Sequence, residues 1–270
     1  MWNILYAEWC SAVKGKFSYT FSLLWITMFS LLFVMERNNA ALAGYTNVTG
    51  TMVNLILYMI PLLMLIVGAF SIASELENGK WRLLCTYPIH TTSYIIGKTI
   101  GQFIAQTAMF SMGFGGSIII GLVSGCNFDL FWVVATYIFS ILLIFLFLVL
   151  GITIGSLSTT RWQALGISIG IWFLLILMWP TLLISILNVV PYAMIAPSIK
   201  IVLFCNPAEV LRIIFVIQLG GGAIFGQAYD QLVMMFQSKA VIWILSLYCM
   251  IYTIMLLFLA GKRIERRRKK

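Results

Sequence analysis

The stretch Ser71–Phe103, SIASELENGKWRLLCTYPIHTTSYIIGKTIGQF, separates two long apolar runs of the chain. It contains two glutamates, three basic residues, a proline and the only histidine, although charged residues make up only 9% of the sequence. An average soluble domain has about 25% charged residues. A polar connection between long apolar runs, in a chain this poor in charge, indicates a polytopic membrane protein rather than a soluble domain.

The apolar runs predict the number of membrane spans. The chain has 270 residues, of which 62% are hydrophobic, and a run of about 20 apolar residues is long enough to cross a bilayer as a helix. By this criterion we predict six spans, at residues 17–35, 52–73, 99–123, 130–155, 163–187 and 240–260. The predicted fold class is therefore an all-α polytopic membrane protein, with residues 1–270 forming one transmembrane domain.

The distribution of basic residues predicts the orientation of these spans. With both termini on one side, that side holds 13 of the 17 Lys and Arg residues, and seven of them lie in the tail 261–270. Positive charge collects on the cytoplasmic side of membrane proteins, so we predict cytoplasmic termini. The tail is expected to contact anionic lipid headgroups rather than nucleic acid.

Two segments are not ordinary spans or loops. In residues 1–16, Trp2, Tyr6, Trp9 and Val13 recur at helical spacing, which favours an interfacial helix over an extension of the first span. Residues 188–239 are apolar but contain three prolines and the glycine-rich LGGGAIFG. We predict short outer helices there that partly re-enter the bilayer.

Small-residue spacing and cysteines give weaker signals. Pairs with the spacing G-x-x-x-G, such as Gly151/Gly155 and Gly166/Gly170, predict mostly close packing between helices of the same chain. The five cysteines form no C-x-x-C pair, which gives no zinc or redox motif. Cys126 and Cys205 fall on the same predicted outer side, so a disulfide between them remains open.

No catalytic, metal or cofactor residues are predicted in this chain. The GKT at Gly97–Thr99 lacks the earlier glycine of a phosphate-binding loop, because position 92 is a threonine. The single His90 has too few companions for a metal site. No charged residue lies in the middle of a predicted span, which argues against ion-coupled transport and suggests an external energy source.

The polar stretch itself, residues 74–98, is predicted to be a cytoplasmic docking element. Leu76, Leu83 and Leu84 could form an apolar face surrounded by charge. The alternative is that the bases only set the topology and that Lys98 snorkels at the start of a helix.

The sequence ELENGKWRLLCTYP at Glu75–Pro88, followed by Gly97–Lys98, resembles the first cytoplasmic loop of ABC-2 type transporter permeases. The resemblance implies an elbow helix at residues 1–16, six spans, and a coupling helix that fits a groove on an ATPase subunit. It also implies a homodimer with two ATPase subunits, which bind the ATP and Mg, in a bacterial inner membrane. The candidate coupling residues are Glu75, Glu77, Gly79, Leu83, Leu84, Pro88 and Lys98.

Two of these residues have specific expected roles. Glu75 should pair with a base of the ATPase or hydrogen-bond to the start of the coupling helix. Gly79 should allow a turn that a larger residue would strain. On this interpretation the substitution Glu75→Lys leaves folding and insertion intact and abolishes ATPase association or coupled ATP hydrolysis.

Within the family, the likeness extends to permeases of nitrous oxide reductase maturation, through LLCTYP and through NPAEVLRI at Asn206–Ile213. This likeness implies a periplasmic solenoid partner, with Asn206, Pro207, Glu209 and Arg212 as contact candidates. Because Glu209 and Arg212 are three residues apart, they could instead pair with each other. An exporter of a peptide, antibiotic or lipid, and a membrane scaffold without a transport role, remain alternatives.

Overall fold

The computed structural model describes residues 6, 8–10, 16–35, 45–84, 86, 90–191, 194–226, 229–238 and 240–268. All regular elements among them are helices, which confirms the predicted all-α fold. The helices are α1 (Lys16–Met35), α2 (Asn47–Glu77), α3 (Lys80–Leu84), α4 (Thr91–Val123), α5 (Leu130–Leu157), α6 (Arg161–Trp172), α7 (Trp179–Val189), α8 (Ile195–Cys205), α9 (Pro207–Gln218), α10 (Asp230–Gln237) and α11 (Val241–Arg268). A π-helical turn, Phe173–Met178, joins α6 to α7.

Among the described residues, five helices are long and apolar enough to cross a membrane. These are Val48–Glu77, Thr91–Val123, Leu130–Leu157, Arg161–Ile186 and Val241–Arg268, and each covers one predicted span. The remaining predicted span lies in α1, whose apolar part, Tyr19–Val34, is shorter. As a helix of 20 residues, α1 is about 30 Å long, close to the thickness of the hydrocarbon core.

The connection predicted at residues 74–98 is shorter than expected. Helix α2 continues to Glu77, and α4 begins at Thr91. Glu75 and Lys98 therefore lie on the ends of two spanning helices and not in a loop. The prediction of a long loop failed because charged residues were assumed to lie outside the helices. Glu75 and Lys98 instead pair with each other inside the bundle.

Aromatic side chains pack α1 against α4. Phe21, Trp25, Phe29 and Phe33 recur every four residues on α1, and all are at most 2% exposed. Trp25 meets Phe110 of α4 edge-on, with ring centroids 5.3 Å apart. Spacing by four places these rings on one face of the helix, so α1 is anchored along most of its length.

Glycines allow α2 and α5 to pack backbone against backbone. A Cβ added to Gly151 would lie 2.7 Å from the Leu65 carbonyl oxygen, and one added to Gly68 would lie 2.7 Å from the Leu148 oxygen. A Cβ on Gly155 would meet the Ala69 backbone at similarly short range. The prediction of internal packing is confirmed for Gly151/Gly155 and not for Gly166/Gly170, which have open space around them.

The outer segment contains the predicted short helices. Helices α8 and α9 meet at Asn206, and residues 197–205 and 207–218 are bent by 115° relative to each other, as in a broken span or a re-entrant loop. Helix α9 packs on α5, where the rings of Phe139 and Phe215 stack with centroids 4.7 Å apart. Phe139 lies within the apolar stretch of α5, so α9 is at the depth of a span.

Two spans are largely uncovered by the rest of the chain. In their most apolar windows, only 11% of Arg161–Ile186 and 6% of Val241–Arg268 are buried, compared with 50% of α2 and of α5. The exposed side chains include Phe173, Leu177, Leu247 and Phe258. These faces are left for lipid or for another subunit.

Cys126 and Cys205 are both free thiols, so the disulfide left open by the sequence is not formed. The Cys126 thiol is 7% exposed and donates to the Phe33 carbonyl oxygen at 3.1 Å. Cys205 is exposed at the end of α8.

The Cys126 thiol should therefore react slowly in the folded protein. Burial raises the pKa of the Cys126 thiol, which lowers the thiolate fraction available for alkylation at neutral pH. In the detergent-solubilised protein, N-ethylmaleimide should alkylate Cys126 at least about tenfold more slowly before than after denaturation in sodium dodecyl sulfate. Detection of a linked Cys126–Cys205 peptide by mass spectrometry without a reductant would contradict the structure, in which both thiols are free.

Candidate functional site

Helix α3 begins at a glycine turn at one end of the bundle. The Asn78 amide donates to the Ser74 carbonyl oxygen at 3.0 Å and closes α2. Gly79 then has a φ of 72°, a conformation that side chains with a Cβ adopt at a cost. The predicted turn at Gly79 is confirmed, and it separates α2 from the short helix α3.

Only one of the three predicted leucines projects from this region. Leu83 is 69% exposed. Leu76 and Leu84 are partly buried and pack against the core of the bundle. The predicted apolar face of three leucines is therefore wrong, because Leu76 belongs to the end of α2 and Leu84 is on the inward side of α3. Trp81 secures α3 to α4, with its ring centroid 5.1 Å from that of Tyr94.

Lys98 lies inside a buried ion cluster and not at the surface. Its side chain is 1% exposed, and its Nζ is 2.6 Å from Glu8 Oε1 and 2.8 Å from Glu75 Oε1. Gln102 Nε2 donates to Glu8 Oε2 at 3.0 Å. The Tyr94 hydroxyl donates to the second Glu75 oxygen. We call these five residues, Glu8, Glu75, Tyr94, Lys98 and Gln102, the Lys98 cluster.

The Lys98 cluster joins three parts of the chain. Tyr94, Lys98 and Gln102 are spaced by four on α4 and share one face of that helix. Glu75 comes from the end of α2, and Glu8 from the helical residues 8–10 near the N-terminus. Charge-assisted hydrogen bonds at this burial are strong because little water competes for the partners. The cluster therefore fixes the helical residues 8–10 to both helices that flank α3.

This geometry corrects two predicted roles. Lys98 is too buried to contact an ATPase directly, and it does not snorkel to the interface. Glu75 already has two partners within the chain. Glu75→Lys would place a second positive charge against Lys98, so we now expect it to destabilise the fold rather than leave folding intact.

A second set of polar contacts ties the α2–α3 turn to the start of α6. Glu77 Oε2 accepts from the Arg161 backbone amide at 2.8 Å and lies 3.5 Å from the Arg161 Nε. Arg161 Nη2 also donates to Asn78 Oδ1 at 2.9 Å. A carboxylate is favoured at a helix N-terminus by the partial positive charge there. Glu77 therefore has a structural role as a cap of α6.

The basic tail reaches the same end of the molecule. Arg267 Nη2, near the end of α11, donates to the Leu157 carbonyl oxygen at 3.0 Å. Leu157 ends α5, four residues before the start of α6. We call this end of the bundle, with α3, the Lys98 cluster, Arg161 and the last turn of α11, the basic end. The structure brings Glu75, Glu77, Gly79, Leu83, Leu84 and Lys98 together here, whereas Pro88 lies outside the described residues.

Sequence reasoning missed Glu8, Tyr94 and Gln102 as members of the cluster. One signal was available, namely the spacing of Tyr94, Lys98 and Gln102, which places three polar side chains on one face of an otherwise apolar helix. That pattern predicts buried partners for the lysine. It does not identify them, because Glu8 is 90 residues away in sequence.

The residues predicted to contact an outer partner lie at the start of α9, at the depth of the spans, and most are buried. Asn206 is fully buried, and its Oδ1 accepts from the Ala208 amide at 3.0 Å, which caps α9. Its Nδ2 donates to the Leu175 carbonyl oxygen at 2.6 Å. Leu175 lies in the π-helical turn, where the partner five residues on would be Pro180, which has no N–H. Asn206 therefore satisfies a carbonyl that the span cannot satisfy itself.

Glu209 and Arg212 pair with each other, as the alternative interpretation allowed. Arg212 Nη2 is 2.6 Å from Glu209 Oε2, and the two side chains are 34% and 10% exposed. Burial, together with the nearby Glu209 carboxylate, raises the pKa of the Tyr229 phenol. Pro207 is buried in the first turn of α9. Of the four candidates, only Arg212 has a substantial free surface.

Replacing Asn206 with alanine should loosen the junction between α8, α9 and the π-helical turn. The change leaves the Leu175 oxygen and the Ala208 amide without their partners in a buried site. Each such group costs about 1–3 kcal/mol. We expect the thermal unfolding midpoint of the purified protein in detergent to fall by several degrees. Ser238→Ala is the control, because that exposed hydroxyl bonds only within its own turn; an equal fall there would contradict the assignment.

The described residues contain no group of three or more His, Cys, Asp or Glu side chains that could hold a metal ion. That a partner subunit binds the ATP and Mg stays a prediction from the resemblance.

A bundle of long apolar helices, with a short helix braced by buried ion pairs at its basic end, defines a polytopic membrane protein. Residues 2–263 match the family described as ABC-2 family transporter protein, and the chain belongs to this family. It is thus a permease subunit of an ABC transporter, a class that works with an ATPase partner subunit.

The chain is similar to two curated proteins, each named probable ABC transporter permease protein NosY. The protein from Stutzerimonas stutzeri is 26% identical over 221 residues, which cover 79% of this chain and 80% of the relative. The one from Pseudomonas aeruginosa is 26% identical over 222 residues, with the same coverage. The predicted resemblance to ABC-2 permeases, with NosY-like relatives, is confirmed.

Proposed function

We propose that this permease couples ATP hydrolysis by a separate ATPase subunit to transport or to mechanical movement across the membrane. The observation that supports this most directly is Leu83, an exposed leucine on a short helix at the basic end. An apolar side chain among polar residues has the arrangement of an interface centre, which is apolar within a polar rim. Leu83 would occupy a groove on the ATPase, and α3 would be the coupling helix.

The contacts around α3 provide a path for force. The Trp81 ring packs on Tyr94, and Tyr94 bonds to Glu75 in the Lys98 cluster. A push on α3 would therefore move α2, α4 and the N-terminal segment together, because buried ion pairs resist separation. The Glu77–Arg161 contact would pass the same movement to α6.

The assembly we propose is a homodimer of this chain with two ATPase subunits, in a bacterial inner membrane. The uncovered faces of α6, α7 and α11 leave room for a second copy and for lipid. The basic end would face the cytoplasm, because Lys and Arg collect there. Both termini would then be cytoplasmic, and the tail would contact anionic lipid headgroups.

The specific role we propose is in nitrous oxide reductase maturation. The segments LLCTYP and NPAEVLRI of this chain resemble segments of the permeases of that system. The NosY relatives favour this subgroup. A periplasmic NosD-like solenoid protein would dock at the end opposite the basic end. An ABC-2 exporter of a peptide, antibiotic or lipid is the alternative within the family.

Leu83→Asp should prevent docking of the ATPase without disturbing the bundle, because Leu83 is exposed. Loss of an interface anchor costs more than about 2 kcal/mol, so the amount of ATPase that co-purifies should fall more than about tenfold. Leu130→Asp is the matched control, since Leu130 is 77% exposed at the opposite end of the bundle. Normal ATPase recovery with Leu83→Asp would exclude α3 as the coupling helix.

Co-purification from the native cell in mild detergent, with mass spectrometry of the partners, tests the wider assignment. An ATPase together with an extracytoplasmic solenoid protein supports the maturation role. An ATPase alone favours an exporter. A stable, folded chain that recovers neither partner would overturn the coupling function and favour a membrane scaffold.

A further inference from the structure

An apolar cleft of about 490 Å³ lies between α5, α9 and the first turns of α11. Its floor is formed by Phe139, Leu211 and Phe215, which are all at most 5% exposed. Its rims are open, since Phe131, Ile138 and Ile242 are each more than half exposed. The cleft belongs to a single chain and is separate from the basic end.

The length and depth of the cleft match one leaflet of a bilayer. Its lining runs along α5 from Phe131 to Leu142, and a helix rises 1.5 Å per residue, so the cleft is about 16 Å long. Half of the roughly 30 Å hydrocarbon core is about 15 Å. Because α5 and α11 both begin at its outer end, the cleft extends from a membrane boundary to about the midplane.

The outer end of the cleft is polar, and the rest is not. Gln218, Gln237 and Ser238 line it there, just before α11 begins. Gln218 Nε2 donates to the Phe236 carbonyl oxygen at 2.8 Å, which fixes the amide at the mouth. The cleft is thus apolar over the depth of one leaflet and polar at the boundary. This arrangement matches a lipid, whose tail is apolar and whose ester and headgroup are polar.

We propose that this cleft binds one acyl chain of a phospholipid from the leaflet opposite the basic end, with the lipid ester region at Gln218, Gln237 and Ser238. Filling the cleft removes the exposed wall of Ile138 and Phe131 from contact with mobile bulk lipid and immobilises the bound chain. The bound lipid exchanges more slowly than the lipids around the rest of the protein, and it holds α9 against α5.

The first test is lipid retention. The full chain is reconstituted in nanodiscs with phosphatidylethanolamine, extracted, stripped stepwise with detergent and weighed intact by mass spectrometry. The wild type should retain one phospholipid per chain after the other lipids have left. Ala135→Trp fills the cleft with an indole and should lower that occupancy at least tenfold. Ile254→Trp, on an exposed face of α11, should retain the lipid.

The second test uses only the wild type, so it does not depend on the folding of a variant. A phosphatidylethanolamine with a diazirine in one acyl chain is incorporated, then chased with unlabelled lipid before irradiation. Labelling of peptides that carry Ile138 and Ile214 should survive the chase, whereas labelling around Ile254 should not. Equal loss at both places, equal lipid retention by Ala135→Trp, or a chain-to-chain disulfide formed by Ile138→Cys would each overturn the proposal.

Discussion

Lys98→Met should cause a large loss of stability. The change removes the base that holds Glu8 Oε1 and Glu75 Oε1 at 2.6 and 2.8 Å. The two carboxylates, 17% and 19% exposed, would then face each other without a positive charge. Removal of one partner from a buried ion pair costs about 3–5 kcal/mol. We expect a strong fall in the thermal unfolding midpoint and in the yield of monodisperse protein.

The same cluster offers a rescue that distinguishes charge from packing. Combining Lys98→Met with Glu8→Gln and Glu75→Gln removes all three charges while the side chains keep similar volumes. Neutral replacement of a whole buried ion cluster is often close to neutral in stability, so the triple variant should recover most of the lost midpoint. If the triple variant were as unstable as Lys98→Met alone, the ion pairs would not be the cause of the loss.

ATPase coupling gives a second measurement on this triple variant. If the Lys98 cluster transmits force from α3, a variant that is folded but uncharged should bind the ATPase and stimulate it less than the wild type. Unchanged stimulation in the folded triple variant would limit the cluster to a stabilising role. This result would test the proposed transmission of force from α3 through the Lys98 cluster. It would not test the docking role of Leu83.

Gly155→Leu should be the second change of this size, because it separates the two helices at the centre of the bundle. Even a Cβ at this position would lie 3.0 Å from the Ala69 Cα and closer still to the Ala69 oxygen. Backbone atoms cannot rotate aside as a side chain can, so α2 and α5 must move apart along their contact. We expect a cost of at least about 3 kcal/mol, at the upper end of overpacking effects.

Gly166→Leu is the matched control for that experiment. It makes the same change in another glycine of a G-x-x-x-G pair, but nothing lies within 4 Å of a Cβ at Gly166. Fluorescence-detected size exclusion after a temperature series should show early aggregation for Gly155→Leu and near-normal behaviour for Gly166→Leu. Similar behaviour of the two variants would contradict the backbone contact between α2 and α5.

The apolar runs were sufficient to predict the class of the protein and the approximate positions of the spans. Runs of about 20 apolar residues have few stable alternatives to membrane helices, since every backbone group must be satisfied within the segment. The turn at Gly79 was equally predictable, because glycine between a helix end and a charged stretch indicates a positive φ. The ABC-2 resemblance in the loop was sufficient to predict the family that the chain proved to match.

Which polar residues are available to partners depends on how the helices pack, and the sequence did not predict it. Lys98, Glu75 and Asn206 look like surface residues in the sequence, yet each is satisfied by a group from a distant part of the chain. Sequence spacing cannot reveal such partners, because burial of a polar group depends on what other helices bring to it. Leu83, by contrast, is exposed because α3 packs on the bundle with Leu84 facing inward and Leu83 facing outward. The sequence of this short helix does not specify which face packs inward.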